Sequence, residues 1–151
     1  MPVIAVDTPV GRLGITEREG HVVQVSWSAS PQGEPTPLLA EAAQQMAAYF
    51  AGELRDFDLP LDPGGSELEA QVFDAMRAIP YGQTRTYGDI AHDLGTYGQP
   101  VGQACGANPI PVIIPCHRVL SATGLGGYSG QGGVETKIAL LKLEGGYPFL
   151  L

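Results

Sequence analysis

Cysteine is scarce in this chain: only Cys105 and Cys116 occur among its 151 residues. Two thiols exclude a disulfide framework and point to a reducing setting, the cytoplasm. Histidine is nearly as rare. His21, His92 and His117 form no tight ligand spacing with either cysteine, so no metal site is expected. No apolar run approaches the ~18 residues of a membrane span, and Met1–Asp7 lacks the basic segment of a signal peptide, so no membrane partner is expected. The glycine-rich stretches contain neither a full Gly-x-Gly-x-x-Gly fingerprint nor a Lys-Ser/Thr ending, which argues against a nucleotide cofactor.

Positive charge is short as well: eight Lys and Arg stand against sixteen acids, a net charge of −8. Phosphate contacts need cations, so the total speaks against a nucleic-acid ligand. Its distribution changes that reading. Residues 1–80 hold twelve acids and four bases, whereas residues 81–151 hold four of each. The second half can therefore face a polyanion without a large penalty. A composition of 44% apolar and 16% charged residues is that of a folded chain, and the length suits one core with a small subdomain attached.

The pattern predicts α/β architecture in two unequal parts. Val3–Val6, Gly11–Thr16 and His21–Trp27 read as strands, β-branched and separated by turn signals. After a proline-rich linker, Leu39, Ala42, Met46, Tyr49 and Phe50 recur at helical spacing to about Ala51. The loop Leu59–Gly65 is the expected boundary, giving an N-terminal sheet-and-helix part over 1–62 and a mainly helical part over 63–151. There Ser66-Glu67-Leu68-Glu69 is a capping box opening a helix that Pro80-Tyr81-Gly82 stops. Two short helices, about Thr86–Leu94 and Gln99–Ala107, flank a glycine turn. That is the spacing of a helix-turn-helix, whose second helix enters a groove of duplex DNA, or simply of a packed pair. A strand over Pro111–Ile114 and a last helix over Val134–Leu143 complete the chain.

Chemistry concentrates in Ile113-Ile114-Pro115-Cys116-His117-Arg118-Val119, with Asn108-Pro109 before it and Gly126-Gly127-Tyr128-Ser129-Gly130 after it. A thiol reacts as its thiolate, so something must take the proton of Cys116. His117 is adjacent, but successive side chains of a strand point to opposite faces, which makes a bridging water the economical relay. The imidazole then needs an acceptor on its other nitrogen, and Glu144 is the candidate. Lys137 and Glu144 stand seven apart on one helical face; from the helix alone, a solvated charged pair is the plainer reading.

These segments closely resemble the active-site region of the O6-alkylguanine-DNA alkyltransferases, also called methylated-DNA–protein-cysteine methyltransferases. The likeness spans roughly Ser66 to Gly145 and includes Leu140-Leu141-Lys142-Leu143-Glu144-Gly145, similar to the family's terminal Leu-Leu-x-x-Glu-Gly signature. The resemblance implies single-turnover repair, in which an alkyl group on guanine O6 (or thymine O4) of double-stranded DNA moves irreversibly to Cys116. It implies a monomer, no cofactor, and a ribonuclease-H-like N-terminal sheet. His117 would be the water-mediated base, Glu144 its partner, Asn108 the brace of the turn before the active site, and Tyr87 the residue meeting the flipped guanine and its phosphate. Val119, Tyr128, Ser129, Gly130, Lys137 and Cys105 would face the substrate. Thr86, Gln99, Gly102 and Gln103 would face DNA, together with Arg118, which would also tie loops together.

Two departures stand out. The family usually opens its recognition helix with an arginine that fills the gap left by the extruded nucleotide; Gln99 stands there. Unstacking costs a few kcal/mol, so this replacement bears on extrusion. Cys105 occupies a place where many relatives carry a larger side chain, and it reads as a packing residue, not a second acceptor. Two rival functions remain defined by simple outcomes. A Cys-His hydrolase would turn over repeatedly on an ester or amide, and a non-catalytic lesion sensor would lack the cysteine that is present here.

Overall fold

The computed structural model describes residues 1–146, which fold as two units. The first holds Met1–Gly64 together with Pro109–Ile113; the second holds Gly65–Asn108 and residues 114–146.

In the first unit, β1 (Val3–Thr8), β2 (Gly11–Arg18) and β3 (His21–Ser26) form an antiparallel meander in the order β1-β2-β3. β1 and β2 run two residues longer than expected because their main-chain pairing continues to the turn, from Val3↔Thr16 to Thr8↔Gly11, whereas β3 stops one residue short of Trp27. Leu13 and Ile15 are fully buried and receive the apolar stripe of α1 (Pro37–Phe50), whose Leu39, Ala42, Met46 and Tyr49 are likewise buried. Thr36 caps that helix by accepting from the Leu39 amide, and Pro37 occupies the first turn, where its missing N–H costs nothing. Pro109 joins this unit through its carbonyl, which accepts from the Val25 amide.

The second unit is mainly helical, with α2 (Glu67–Arg77), α3 (Tyr87–Leu94), α4 (Gly98–Gly106) and α5 (Val134–Leu143). Ser66 and Glu69 form the capping box expected of α2, and Thr86 with Asp89 builds a second one at α3. The backbone and side chain of Thr86 hold Asp89 below the usual carboxylate range. Gly95, at φ 69°, ends α3 in the left-handed conformation that a side chain would oppose, and α4 follows after two residues. This is the helix-turn-helix of the sequence reading, with α4 starting one residue earlier than expected. A short parallel pair, β4 (Arg85–Thr86) and β5 (Val119–Leu120), ties the start of α3 to the segment just past Cys116.

The expected strand over Pro111–Ile114 is not formed. Those residues make a turn in which Val112 adopts a left-handed φ of 72°. Prolines at 111 and 115 remove two amide donors from so short a segment, so no ladder can run through it. Cys116–Arg118 then forms a single 3-10 turn, not a strand end.

Candidate active site

Cys116 opens that 3-10 turn with its amide bonded to the Ile114 carbonyl at 2.8 Å. The same carbonyl accepts from Asn108 Nδ2 at 2.9 Å, so one oxygen gathers both sides of the connection between α4 and Cys116. Cys116 and Cys105 share a cavity of about 390 Å³ with Tyr87, Tyr128 and Ser129. Gly102, Gly106 and Gly127 supply the rest of its wall, where bare backbone leaves room for a flat ring. Both thiols are buried, and Cys105 Sγ lies 3.5 Å from Met76 Sδ.

Burial pushes the Cys116 thiol up, opposed by a hydrogen bond from Asn108 and the charge of Lys137. Burial and the neighbouring Cys116 push Cys105 up to about 12. Cys105 is therefore a neutral pocket wall at physiological pH. Tyr87 and Tyr128 are also raised, chiefly by burial, and so keep their phenol protons.

Behind Cys116 runs a buried chain of charge. His117 Nε2 lies 2.8 Å from Glu144 Oε2. Arg118 grips the same carboxylate with two donors, Nε to Oε1 at 2.9 Å and Nη2 to Oε2 at 3.0 Å. Its Nη1 donates to the Ile79 carbonyl at the end of α2, at 2.7 Å. Because the carboxylate accepts at Nε2, the neutral imidazole carries its proton there and its lone pair on Nδ1. Nδ1 is buried with no hydrogen-bond partner among the described residues. Burial holds His117 below its ordinary value despite Glu144, which leaves Nδ1 free to act as a base.

Glu144 reaches this network because α5 ends beneath it. The Gly145 amide donates to the Lys142 carbonyl and the Gly146 amide to the Leu141 carbonyl, with Gly145 at φ 75°. That pair of bonds is a Schellman closure, which needs the left-handed residue that glycine supplies. At the other end of α5, Lys137 is fully buried and donates to three carbonyls: Val119 at 2.6 Å, Leu125 at 2.5 Å and Gly127 at 3.0 Å. It pins the glycine loop that walls the cavity. Burial lowers Lys137 to about 8, so at neutral pH it remains a cation, 5.9 Å from the centre of the Tyr87 ring.

The structure brings together Cys116, His117, Glu144, Asn108 and Tyr87 around one cavity and its rear wall. Tyr128, Ser129, Cys105 and Gly102 line that cavity directly. Gln99 and Gln103 lie exposed on α4, and Thr86 serves as the α3 cap. Two expectations need correction. Arg118 is 5% exposed with its guanidinium committed to Glu144 and Ile79, so it is a brace inside the unit and not a DNA contact. Lys137 donates to three backbone carbonyls, and it, Val119 and Gly130 are not among the residues lining this cavity. Gly127, from the glycine run after Cys116, also belongs to it, and so does Gly106, which the sequence reading does not name and whose four-residue spacing from Gly102 is the available signal.

Comparison with known proteins agrees along the whole chain. Residues 67–146 match the family described as 6-O-methylguanine DNA methyltransferase, DNA binding domain, and residues 4–63 match its ribonuclease-like domain. A methylated-DNA–protein-cysteine methyltransferase of Mycolicibacterium paratuberculosis is 44% identical over 149 residues, covering 92% of this chain and 89% of the relative. The constitutive protein of that name from Bacillus subtilis is 40% identical, covering 91% and 92%. Among solved structures, Mycobacterium tuberculosis O6-methylguanine methyltransferase superposes with a TM-score of 0.82 at 37% identity, covering 99% of this chain and 96% of that one. Mycobacterium tuberculosis OGT in complex with DNA gives 0.83 at 40% identity, covering 93% and 91%.

Proposed function

This chain belongs to the 6-O-methylguanine DNA methyltransferase family and repairs DNA by alkyl transfer to a cysteine, and from that premise we propose that Cys116 is the acceptor, His117 its base, and O6-alkylguanine in duplex DNA the substrate. The observation that carries the reading is the meeting, in one unit, of a cavity containing Cys116 with a buried imidazole whose free nitrogen is backed by Glu144 and Arg118.

A guanine inside a duplex cannot offer its O6 substituent to a buried sulfur, so the nucleotide turns out into the cavity. Walls of backbone and tyrosine suit a flat, apolar base with polar edges. The Cys116 proton passes through a water to His117 Nδ1. The imidazolium that forms is stabilised by Glu144, whose own charge is held by Arg118. The thiolate then attacks the alkyl carbon in line: the S–C bond forms as the C–O6 bond breaks. Guanine leaves with a hydrogen bond from the protonated Tyr87 phenol and becomes neutral by taking back, through water, the proton held by His117, with Ser129 at the opposite wall. Acceptor and proton sources are all side chains, so the atoms balance without a cofactor.

The product is a thioether, and among the described residues no group beside Cys116 can reverse it. One protein therefore repairs one lesion. Thymine O4 is the second substrate the same displacement admits. All participating groups come from one chain, so the protein acts as a monomer, and its free thiols suit the reducing cytoplasm.

Incubation with a methylated oligonucleotide tests this by intact mass. The wild type should gain one methyl group, mapped to Cys116, and Cys116→Ala none. Loss of lesions in the presence of Cys116→Ala, or more than one product per protein, would sink the assignment.

A further inference from the structure

The turn between α3 and α4 presents one side chain that the cavity chemistry does not use. Tyr97 is 80% exposed, more than any other large apolar side chain among the described residues. A ring of that size normally covers itself against the protein. The backbone that presents it is nevertheless fixed. Thr96 donates its amide to the Ala91 carbonyl at 2.9 Å, and the Tyr97 carbonyl accepts from the Val101 amide at 3.4 Å. Tyr97 holds extended φ and ψ of −118° and 162° as the residue capping α4, with no side-chain cap bond. A rigid corner thus holds an apolar ring in solvent.

The surroundings indicate what it meets. From Tyr87 to Gly106 the two helices carry two acids, Asp89 and Asp93, and no lysine or arginine. Phosphate neutralisation therefore cannot supply the binding energy along this pair. Gly98, Gly102 and Gly106 recur every four residues along α4, and a Cβ at any of them would meet nothing. Beside the exposed Gln99 and Gln103, this glycine row is accordingly smooth and can approach a partner at backbone distance. Gly102 and Gly106 also border the cavity. Tyr97 lies five residues before Gly102, about 7.5 Å along the axis at 1.5 Å per residue. That is roughly two base steps from the cavity, at 3.4 Å each.

We propose that Tyr97 is a DNA-stacking residue: its ring packs against the bases bordering the nucleotide drawn into the cavity. This rests on the repair reading above and adds how the duplex is held open. Drawing a nucleotide out costs a few kcal/mol of stacking, and an aromatic ring on the exposed bases returns about 1–3 kcal/mol per base. A neutral ring is the contact that an uncharged helix can offer.

Three proteins test the assignment: wild type, Tyr97→Ala and Tyr97→Phe. Each is assayed for methyl transfer from a methylated duplex and for Cys116 alkylation by iodoacetamide, which needs no DNA. A duplex with 2-aminopurine beside the lesion reports ring contact by quenching. Tyr97→Ala should transfer about tenfold more slowly from duplex, lose the quenching, and alkylate with iodoacetamide at the wild-type rate. Tyr97→Phe should match the wild type throughout. Wild-type duplex repair by Tyr97→Ala overturns the proposal, and so does equal slowing with iodoacetamide, which would make the ring part of the cavity. A Tyr97→Phe defect as large as that of alanine overturns it too, because the hydroxyl would then be the active group. A wild type that transfers nothing from duplex defeats the repair reading itself.

Discussion

Behind Cys116, His117, Arg118, Lys137 and Glu144 are each 6% exposed or less, whereas α4, which lines the same cavity, carries no charged side chain at all. The rear wall concentrates charge where water is excluded and satisfies it with named partners. The front leaves backbone, amides and one aromatic ring. Buried charge is costly unless every ion has its bonds, and once satisfied it fixes geometry closely. An uncharged approach surface binds with little help from counterion release. On the proposed function the contrast separates two tasks: electrostatics prepares the sulfur, and shape admits the base.

The largest break in this contrast comes from Glu144→Ala. It leaves the Arg118 guanidinium buried without its main partner and His117 without an acceptor. Stability should fall by about 3–5 kcal/mol in urea unfolding. The transfer rate should drop by about 10² or more in single-turnover assays, since general-base assistance is lost. An unchanged rate would mean that Cys116 ionises without the rear wall.

Lys137→Met is expected to act less severely, slowing transfer about tenfold by releasing three carbonyls of the cavity loop and removing a cation near the thiolate. It also yields a signature in pH. Because burial lowers Lys137 to about 8, the ammonium is charged below that value and loses its proton as pH rises through it. A neutral amine has two N–H groups for three carbonyls and gives a thiolate no charge to face. The wild-type rate should therefore fall above about pH 8, in the opposite sense to the gain from ionising a thiol, and this falling limb should be absent in Lys137→Met.

These two variants touch the residues whose setting was hardest to read from sequence. Cys116, His117 and Asn108 were legible because their chemistry is local and their order along the chain is distinctive. The strands and α1 were legible because apolar spacing reports burial. The inward side of α5 defeats that logic: Thr136, Lys137, Leu140, Leu141 and Glu144 are all buried, so the stripe contains a lysine and ends in a glutamate. Charged side chains on a helix normally belong to solvent. Only the partners, three carbonyls far along the chain and an arginine beside the nucleophile, explain their position. Arg118 was misread as a DNA contact for the same reason. Pro111–Ile114 was misread because its apolar residues mimic a buried strand, while the flanking prolines make it a turn.

The smallest effect sharpens the other side of the contrast. Gln99→Arg places a cation on the exposed face of α4, where Gln99 now lies. Affinity for damaged duplex should rise severalfold at low salt, with the salt slope steepened by about 0.9 for one added phosphate contact. An unchanged slope, measured by titration at several salt concentrations, would mean that this position does not reach the duplex.

Lys137 and Glu144 sit two turns apart on α5, and both act on a sulfur more than twenty residues upstream. During synthesis Cys116 emerges first and has neither its base's anchor nor its loop clamp. Until α5 docks the thiol lacks both, and docking delivers both ends together. On the proposed function, the surroundings that let Cys116 react are thus complete only once α5 is in place.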